Sequence, residues 1–359
     1  MEELKKLLIL FSQFDITPSK CKQILNVMGE KSIKAFTKIK FDESVLSANN
    51  YNKMLYQADK DKIFAFEQNL ANDGIKIVAN FENVFPQKLI DLPDCPYILY
   101  YKGDISLANT SSLAVVGSRK PTNYGRVVTN KLVGDVSLAG VTVISGMAYG
   151  VDSIAHKRCL EVGGKTIAVL GSGLNNIYPK EHRALFEEIA EKGLVISEYS
   201  PEKAATKYSF PARNRIIAGL SDGVLITEAS IKSGTIHTKE FALEYGKNIY
   251  AVPGNIDSEA SQLTNEVIKT GQGCCVTSSK DILNDYVAEK YEQSVQTNMF
   301  DGLSDEEKII VDCLSKGMKS IEQLTQETKL SINILNTYLT TLEISGIIRR
   351  LPGGNLSLN

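Results

Sequence analysis

Two arginines, an aromatic ring and a proline stand close together in the stretch from Lys207 to Ser221, KYSFPARNRIIAGLS. Arg213 and Arg215 flank Asn214, just after Phe210 and Pro211, and the apolar pair Ile216 and Ile217 follows at once. A guanidinium presents a planar fork of donors that fits a phosphate, and an aromatic face stacks on a base. A loop holding both kinds of group against the start of a buried helix is chemistry for gripping a phosphodiester chain. The plainer alternative is a helix entrance whose arginines pair with local carboxylates. Other turns carry related chemistry. Gly117-Ser118-Arg119-Lys120-Pro121 offers a tight turn, a hydroxyl and a bidentate phosphate donor. In Ser145-Gly146-Met147-Ala148-Tyr149-Gly150-Val151-Asp152, two glycines let backbone N–H groups approach an anion at a helix start. Gly171-Ser172-Gly173-Leu174 and Ser233-Gly234-Thr235 are further small-residue turns.

These turns need a scaffold that brings them together. From about residue 112 the pattern is strand, turn, helix, repeated, with short β-branched apolar runs at 113–116, 141–144, 166–170, 194–196, 223–227 and 248–252. Runs apolar throughout are expected of parallel strands covered on both faces, and the alternation predicts an α/β, Rossmann-like, doubly wound and mostly parallel sheet. In such a sheet ligands sit beyond the carboxyl ends of the strands, where all these turns lie. The domain reading is a helical domain at 1–70, the α/β domain at 71–285, a polar linker at 286–302 and a separate unit at 303–359. In the first, Leu4, Leu7, Leu8 and Phe11 share a helix face, Thr17-Pro18 opens a second helix, and Ile33, Phe36 and Ile39 line a third. The last unit reads as three short helices, with Ser304 and Glu307 as a capping box, and a hairpin turning at Gly353-Gly354: a winged helix. Its third helix, SINILNTYLTTLEIS, has no Lys or Arg, though the wing has Arg349 and Arg350.

Composition narrows the function. At 359 residues, with about 150 per domain, two or three domains are expected. The net charge of −2 excludes a global positive field, so any anion site is local. Six scattered cysteines without a Cys-x-x-Cys fit a reducing cytoplasm, not a disulfide framework. No segment approaches the roughly 20 apolar residues of a membrane span, so no membrane partner is expected. Catalytic groups are sparse. Asp152 and His156 share helical spacing but lack a serine or cysteine nucleophile, and His182 and His237 read as surface or cap positions. No catalytic residues, metal or cofactor are expected: the Gly171-Ser172-Gly173 turn lacks the third glycine and the acidic residue of a nicotinamide site. Cys274-Cys275 reads as core, opening an edge strand.

In order along the chain stand VGSRKPTNYG, SGMAYGVDSIAH, TIAVLGSGLNNIYPKEH, ISEYSP, FPARNRIIAGLSDGVLITEA, SGTIHT and YAVPGN. This series resembles the DprA/Smf family, the DNA-processing protein A of natural transformation, over about residues 80–285. The flanks are similar too: a SAM-like helical domain before and a winged helix after. The resemblance implies a protein that is not an enzyme. It would bind and protect incoming single-stranded DNA, act as a homodimer, and help load RecA recombinase past single-strand-binding protein. It also implies a DNA-binding set of Ser118, Arg119, Lys120, Gly146, Tyr149, Gly150, Lys207, Phe210, Arg213, Asn214 and Arg215. Tyr149 stands where the family often has arginine. Two rivals remain at the level of sequence. One is a nucleotide phosphoribohydrolase-like enzyme, although Thr238 occupies the position of its catalytic glutamate. The other is a nucleotide-sensing regulator with the winged helix as output.

Overall fold

The apolar runs fold as strands of one nine-stranded sheet: β1 (Lys76–Ala79), β2 (Ile98–Gly103), β3 (Ser112–Val116), β4 (Thr142–Ser145), β5 (Thr166–Val169), β6 (Leu194–Ser197), β7 (Gly223–Ile226), β8 (Asn248–Ala251) and β9 (Cys274–Cys275). The structure, a computed structural model, describes residues 2–39, 41–286, 303–315, 317–344, 348–350 and 354–358. The strand order is β1-β2-β6-β5-β4-β3-β7-β8-β9. Strands β3 to β9 pair in parallel with their neighbours, and β2 joins β6 antiparallel, with β1 antiparallel to β2 beyond it. From β3 the chain steps outward through β4, β5 and β6, then returns to lay β7 on the other side of β3. The fold is therefore Rossmann-like and doubly wound, and its order reverses between β3 and β7.

Alternation along each strand feeds two apolar layers. Leu99, Val116, Ile144, Ile167, Val169, Ile196, Val224 and Ile226 face one core. Tyr100, Ala168 and Val195 face another, against which Leu7 to Phe11 of the Glu2–Gln13 helix and Ile24 of the Pro18–Val27 helix pack. Thr17 caps that second helix as expected, accepting the Lys20 N–H at 3.3 Å. The third expected helix is a single turn, Ile33–Phe36, ending before Ile39.

Residues 1–284 and 285–359 are two compact units. The second contains helices Asp305–Ser315, Ile321–Thr328 and Ile332–Ile344, with the hairpin of β10 (Ile348–Arg350) and β11 (Leu356–Leu358). This is a winged-helix arrangement with its own core, including Ile310, Leu314, Leu324, Leu335, Leu339, Ile348 and Leu356. The Ser304–Glu307 capping box forms, Ser304 Oγ accepting the Glu307 N–H at 3.2 Å and Glu307 accepting the Ser304 N–H at 2.9 Å. Apart from Tyr286, the expected linker lies outside the described residues, as do Gly346, Ile347 and the approach to the wing turn at 351–353. One expectation is reversed: Cys274 and Cys275 form an edge strand but are exposed, because β9 closes the sheet with two residues.

Candidate nucleic-acid interface

The loops that leave β3, β4 and β7 at their carboxyl ends converge with the start of the Ser209–Leu220 helix on one open groove of about 920 Å³. Gly117, Ser118, Arg119 and Lys120 line it from the first loop, Ala148 and Asp152 from the second, and Lys207, Phe210, Pro211, Arg213 and Asn214 from the helix and its approach. Ser230, Ser233, Gly234, Thr235, His237, Thr238 and Glu259 close the far side. Thr235 begins a helix, Thr235–Glu244, whose positive dipole end borders the same space, although its first N–H groups are already taken: Thr235 N–H donates to Ser233 Oγ at 3.2 Å and Ile236 N–H to Ser233 O at 3.1 Å.

The expected loop around Phe210 is instead the first turn of a helix that begins at Ser209. Pro211 is tolerated there, since an N–H in the first turn has no intrahelical acceptor to lose. The helical geometry separates the two arginines, because residues two apart on a helix point about 200° away from each other. Arg213 turns to the groove. Arg215 turns away, to a bidentate ion pair with Glu198 (3.1 and 2.6 Å) and a second contact with Asp94 (2.7 Å). With 6% of its side chain exposed, Arg215 lies outside the groove, contrary to the sequence expectation. Burial opposes its charge, but Glu198 and Asp94 hold its pKa above the ordinary value.

Arg213 is buried as well. It donates to the carbonyls of Gly146 (2.7 Å) and Val169, and a Cβ at residue 146 would overlap its guanidinium. Burial, and secondarily Arg119, lower its pKa to about 10, while Asp152 opposes the fall, so it stays charged at neutral pH. The Gly146 N–H was expected to face a ligand. It donates instead to the chain's own Asp152 carboxylate, at 3.1 Å. Gly146 therefore admits a side chain where an anion was expected. Gly150 adopts φ +80°, which the turn into the Val151–Glu161 helix requires, and its backbone packs on Ser118 and Arg119.

The exposed cations are Arg119, Lys120 and Lys207, and none of them is ion-paired among the described residues. The Arg119 guanidinium lies 5.7 Å from the Phe210 ring centroid, a cation–π contact. Ser118 accepts the Lys120 N–H at 3.1 Å, and Asn214 donates to Gly234 O at 3.3 Å. A carboxylate shapes the first loop from behind. Buried Glu228 accepts from Thr122 N (2.8 Å) and Thr122 Oγ1 (2.5 Å). Tyr149 stands beside the groove, its hydroxyl donating to Glu181 at 2.6 Å. Sequence reasoning missed Tyr178, whose ring centroid is 5.3 Å from that of Phe210. The available signal was an aromatic in the loop after β5, at Tyr178-Pro179.

His182 stands at the cap position of the Arg183–Lys192 helix, one of the two expected placements, but it is buried and not on the surface, and it pairs through Nδ1 with Met147 O at 2.9 Å. His156 is also fully buried, with Nδ1 2.7 Å from Thr166 Oγ1. Thr166 Oγ1 donates onward to Val143 O at 2.8 Å, so the network assigns the His156 proton to Nδ1. Burial, then the Arg213 charge, lower the His156 pKa from 6.5 to about 3. A depressed folded-state value means stability that is complete above the unfolded pKa and is lost as pH falls toward the folded one. Urea melts at pH 7.5 and pH 5 are therefore expected to differ by roughly 2 kcal/mol more in the parent chain than in His156→Gln. Equal pH slopes in the two proteins would contradict this. Among the described residues no cluster of His, Cys, Asp and Glu could hold a metal ion, and no helix is long and apolar enough to cross a membrane.

Comparison with known proteins agrees with this architecture. The family model for DNA recombination-mediator protein A matches residues 76–287, and that for the DprA winged helix domain matches residues 301–354. The DNA processing protein DprA of Streptococcus pneumoniae is 40% identical over 205 residues, 57% of this chain and 72% of that protein. Protein Smf of Escherichia coli is 33% identical over 281 residues, 76% of this chain and 75% of its own. The X-ray structure of the S. pneumoniae protein superposes with a TM-score of 0.67 at 33% identity, covering 77% of this chain and 96% of the other. The DNA processing protein A of Helicobacter pylori, described for its unique single-stranded DNA binding mode, gives a TM-score of 0.55 at 33% identity, covering 60% of this chain and 96% of that one. With most of the α/β sheet and the winged helix each matched, the chain belongs to the DNA recombination-mediator protein A (DprA/Smf) family.

Proposed function

We propose that this chain binds single-stranded DNA in the groove at the carboxyl ends of β3, β4 and β7, holding the strand without cutting it. The observation that carries this reading is the set of exposed cations without an ion pair among the described residues, Arg119, Lys120 and Lys207, lining one groove with Phe210, over whose ring Arg119 lies. The cations suit consecutive phosphates, and the ring suits one base. A duplex cannot present an unstacked base to such a site, which gives the preference for single strands. No reaction is needed, and Thr238 stands in the groove where a phosphoribohydrolase would need a carboxylate. In the cytoplasm, a homodimer of this chain would cover incoming strands and pass them to RecA recombinase in competition with single-strand-binding protein. The H. pylori relative's single-stranded DNA binding supports the first of these steps.

Fluorescence anisotropy with one labelled oligonucleotide, free or annealed to its complement, tests the binding step. The expected result is at least about tenfold tighter binding of the free strand, weakening as salt rises. Equal affinity for both forms, or binding of nucleoside monophosphates in place of the strand, would reject the reading. The loading step is tested separately, by the rate at which RecA begins ATP hydrolysis on strands coated with single-strand-binding protein. An unaltered lag on adding this chain would remove that step alone.

A further inference from the structure

Two partly exposed tyrosines border the groove without lining it. Tyr178 and Tyr149 are 47% and 41% exposed, and both face a small cleft that also includes Arg119, Phe210 and Arg213. Phe210 belongs to groove and cleft alike, so the aromatic surface continues from one to the other: Arg119 lies over Phe210, and Tyr178 lies 5.3 Å from it on the cleft side. The Tyr149 ring is fixed before any ligand arrives. Its hydroxyl is held by Glu181, and its ring meets the buried His182 ring edge-on at 5.1 Å.

The distribution of charge sorts the two sides. Lys120 and Lys207 stand on the groove side alone, while Arg119 and Arg213, like Phe210, border both groove and cleft. No cation lies over either tyrosine ring among the described residues, and the group bonded to Tyr149 is a carboxylate. A polyanion would keep its phosphates at the cations and turn its bases to the tyrosines. A partly exposed ring of restricted orientation stacks on a base with little loss of side-chain freedom, and tolerates any base.

We infer that Tyr178, with Tyr149 beyond it, forms a stacking shelf for unpaired nucleobases, extending the strand's path out of the groove. This inference deepens the single-strand reading proposed above and rests on it. The tyrosine side of the strand carries bases, and the Lys120 and Lys207 side, with Arg119 at the boundary, carries phosphates. The shelf is reached only by a strand long enough to leave the groove.

Length dependence therefore tests it. With the full chain, affinities would be measured for oligothymidylates of about 4 and about 12 nucleotides. Tyr178→Ala is expected to lose about tenfold on the long strand and little on the short one, and Tyr178→Phe should bind like the parent. Arg119→Ala should weaken both lengths. The chain has no tryptophan, so Tyr178→Trp places a single reporter on the shelf, whose emission should be quenched as the long strand saturates. Parent-like binding of the long strand by Tyr178→Ala, with the emission of Tyr178→Trp unmoved, would overturn the shelf. So would equal losses at both lengths that Tyr178→Phe does not restore, since Tyr178 would then be a prop for Phe210. If Arg119→Ala were silent at both lengths, the groove reading itself would fail.

Discussion

Arg119→Ala is expected to weaken binding of single-stranded DNA by roughly ten- to a hundredfold, the effect of losing one charge-assisted contact together with its ring contact. The side chain is exposed, carries no carboxylate partner among the described residues and leans on Phe210, so its removal should leave the fold intact. The slope of log affinity against log salt should become shallower by about 0.7 for each phosphate released from contact. Anisotropy titrations over a range of salt concentrations give both quantities at once. Unchanged affinity and slope would exclude Arg119 from the interface. Arg213→Ala is a poorer probe. That residue ties Gly146 O to Val169 O and faces the buried Asp152 carboxylate, so its loss would disturb the second loop as well as the ligand.

Arg215→Leu should separate stability from binding. It strands Glu198 in the interior without its bidentate partner, and breaking a buried pair in this way costs about 3–5 kcal/mol. A matching fall in the urea midpoint is expected, with partial recovery in the double variant Glu198→Leu/Arg215→Leu, where neither charge is buried alone. The folded fraction of Arg215→Leu should bind the same oligonucleotides as tightly as the parent. Weak binding at undiminished stability would instead return Arg215 to the groove.

The fate of these two arginines marks how far the sequence could be read. The sheet was legible because its strands are short, apolar on both faces and separated by glycine turns, a pattern that few other arrangements satisfy. Placing glycine turns at strand carboxyl ends put Ser118 and Arg119 at one rim, and of the cations expected beside them Lys207 and Arg213 line the same groove while Arg215 does not. What stayed hidden depended on phase. Reading Phe210 to Arg215 as a loop left both guanidinium groups free to point one way, whereas the helix that starts at Ser209 sends them apart. Glycine's purpose was equally opaque: residue 146 is small so that Arg213 can lie against it. The burial of His182 and the exposure of Cys274 and Cys275 depend on what packs above them, which local composition does not encode.

The second loop engages its own anion and its own cation: Asp152 takes the Gly146 N–H, and Arg213 takes the carbonyl of the same residue. The floor of the site is thus electrically self-sufficient, and a visiting polymer would be held mostly by the side chains standing round its lip. A grip divided among separate exposed side chains lets go one contact at a time, with no rearrangement underneath. A strand so held would leave by peeling from an end, and a competitor that captured that end could strip away the remainder.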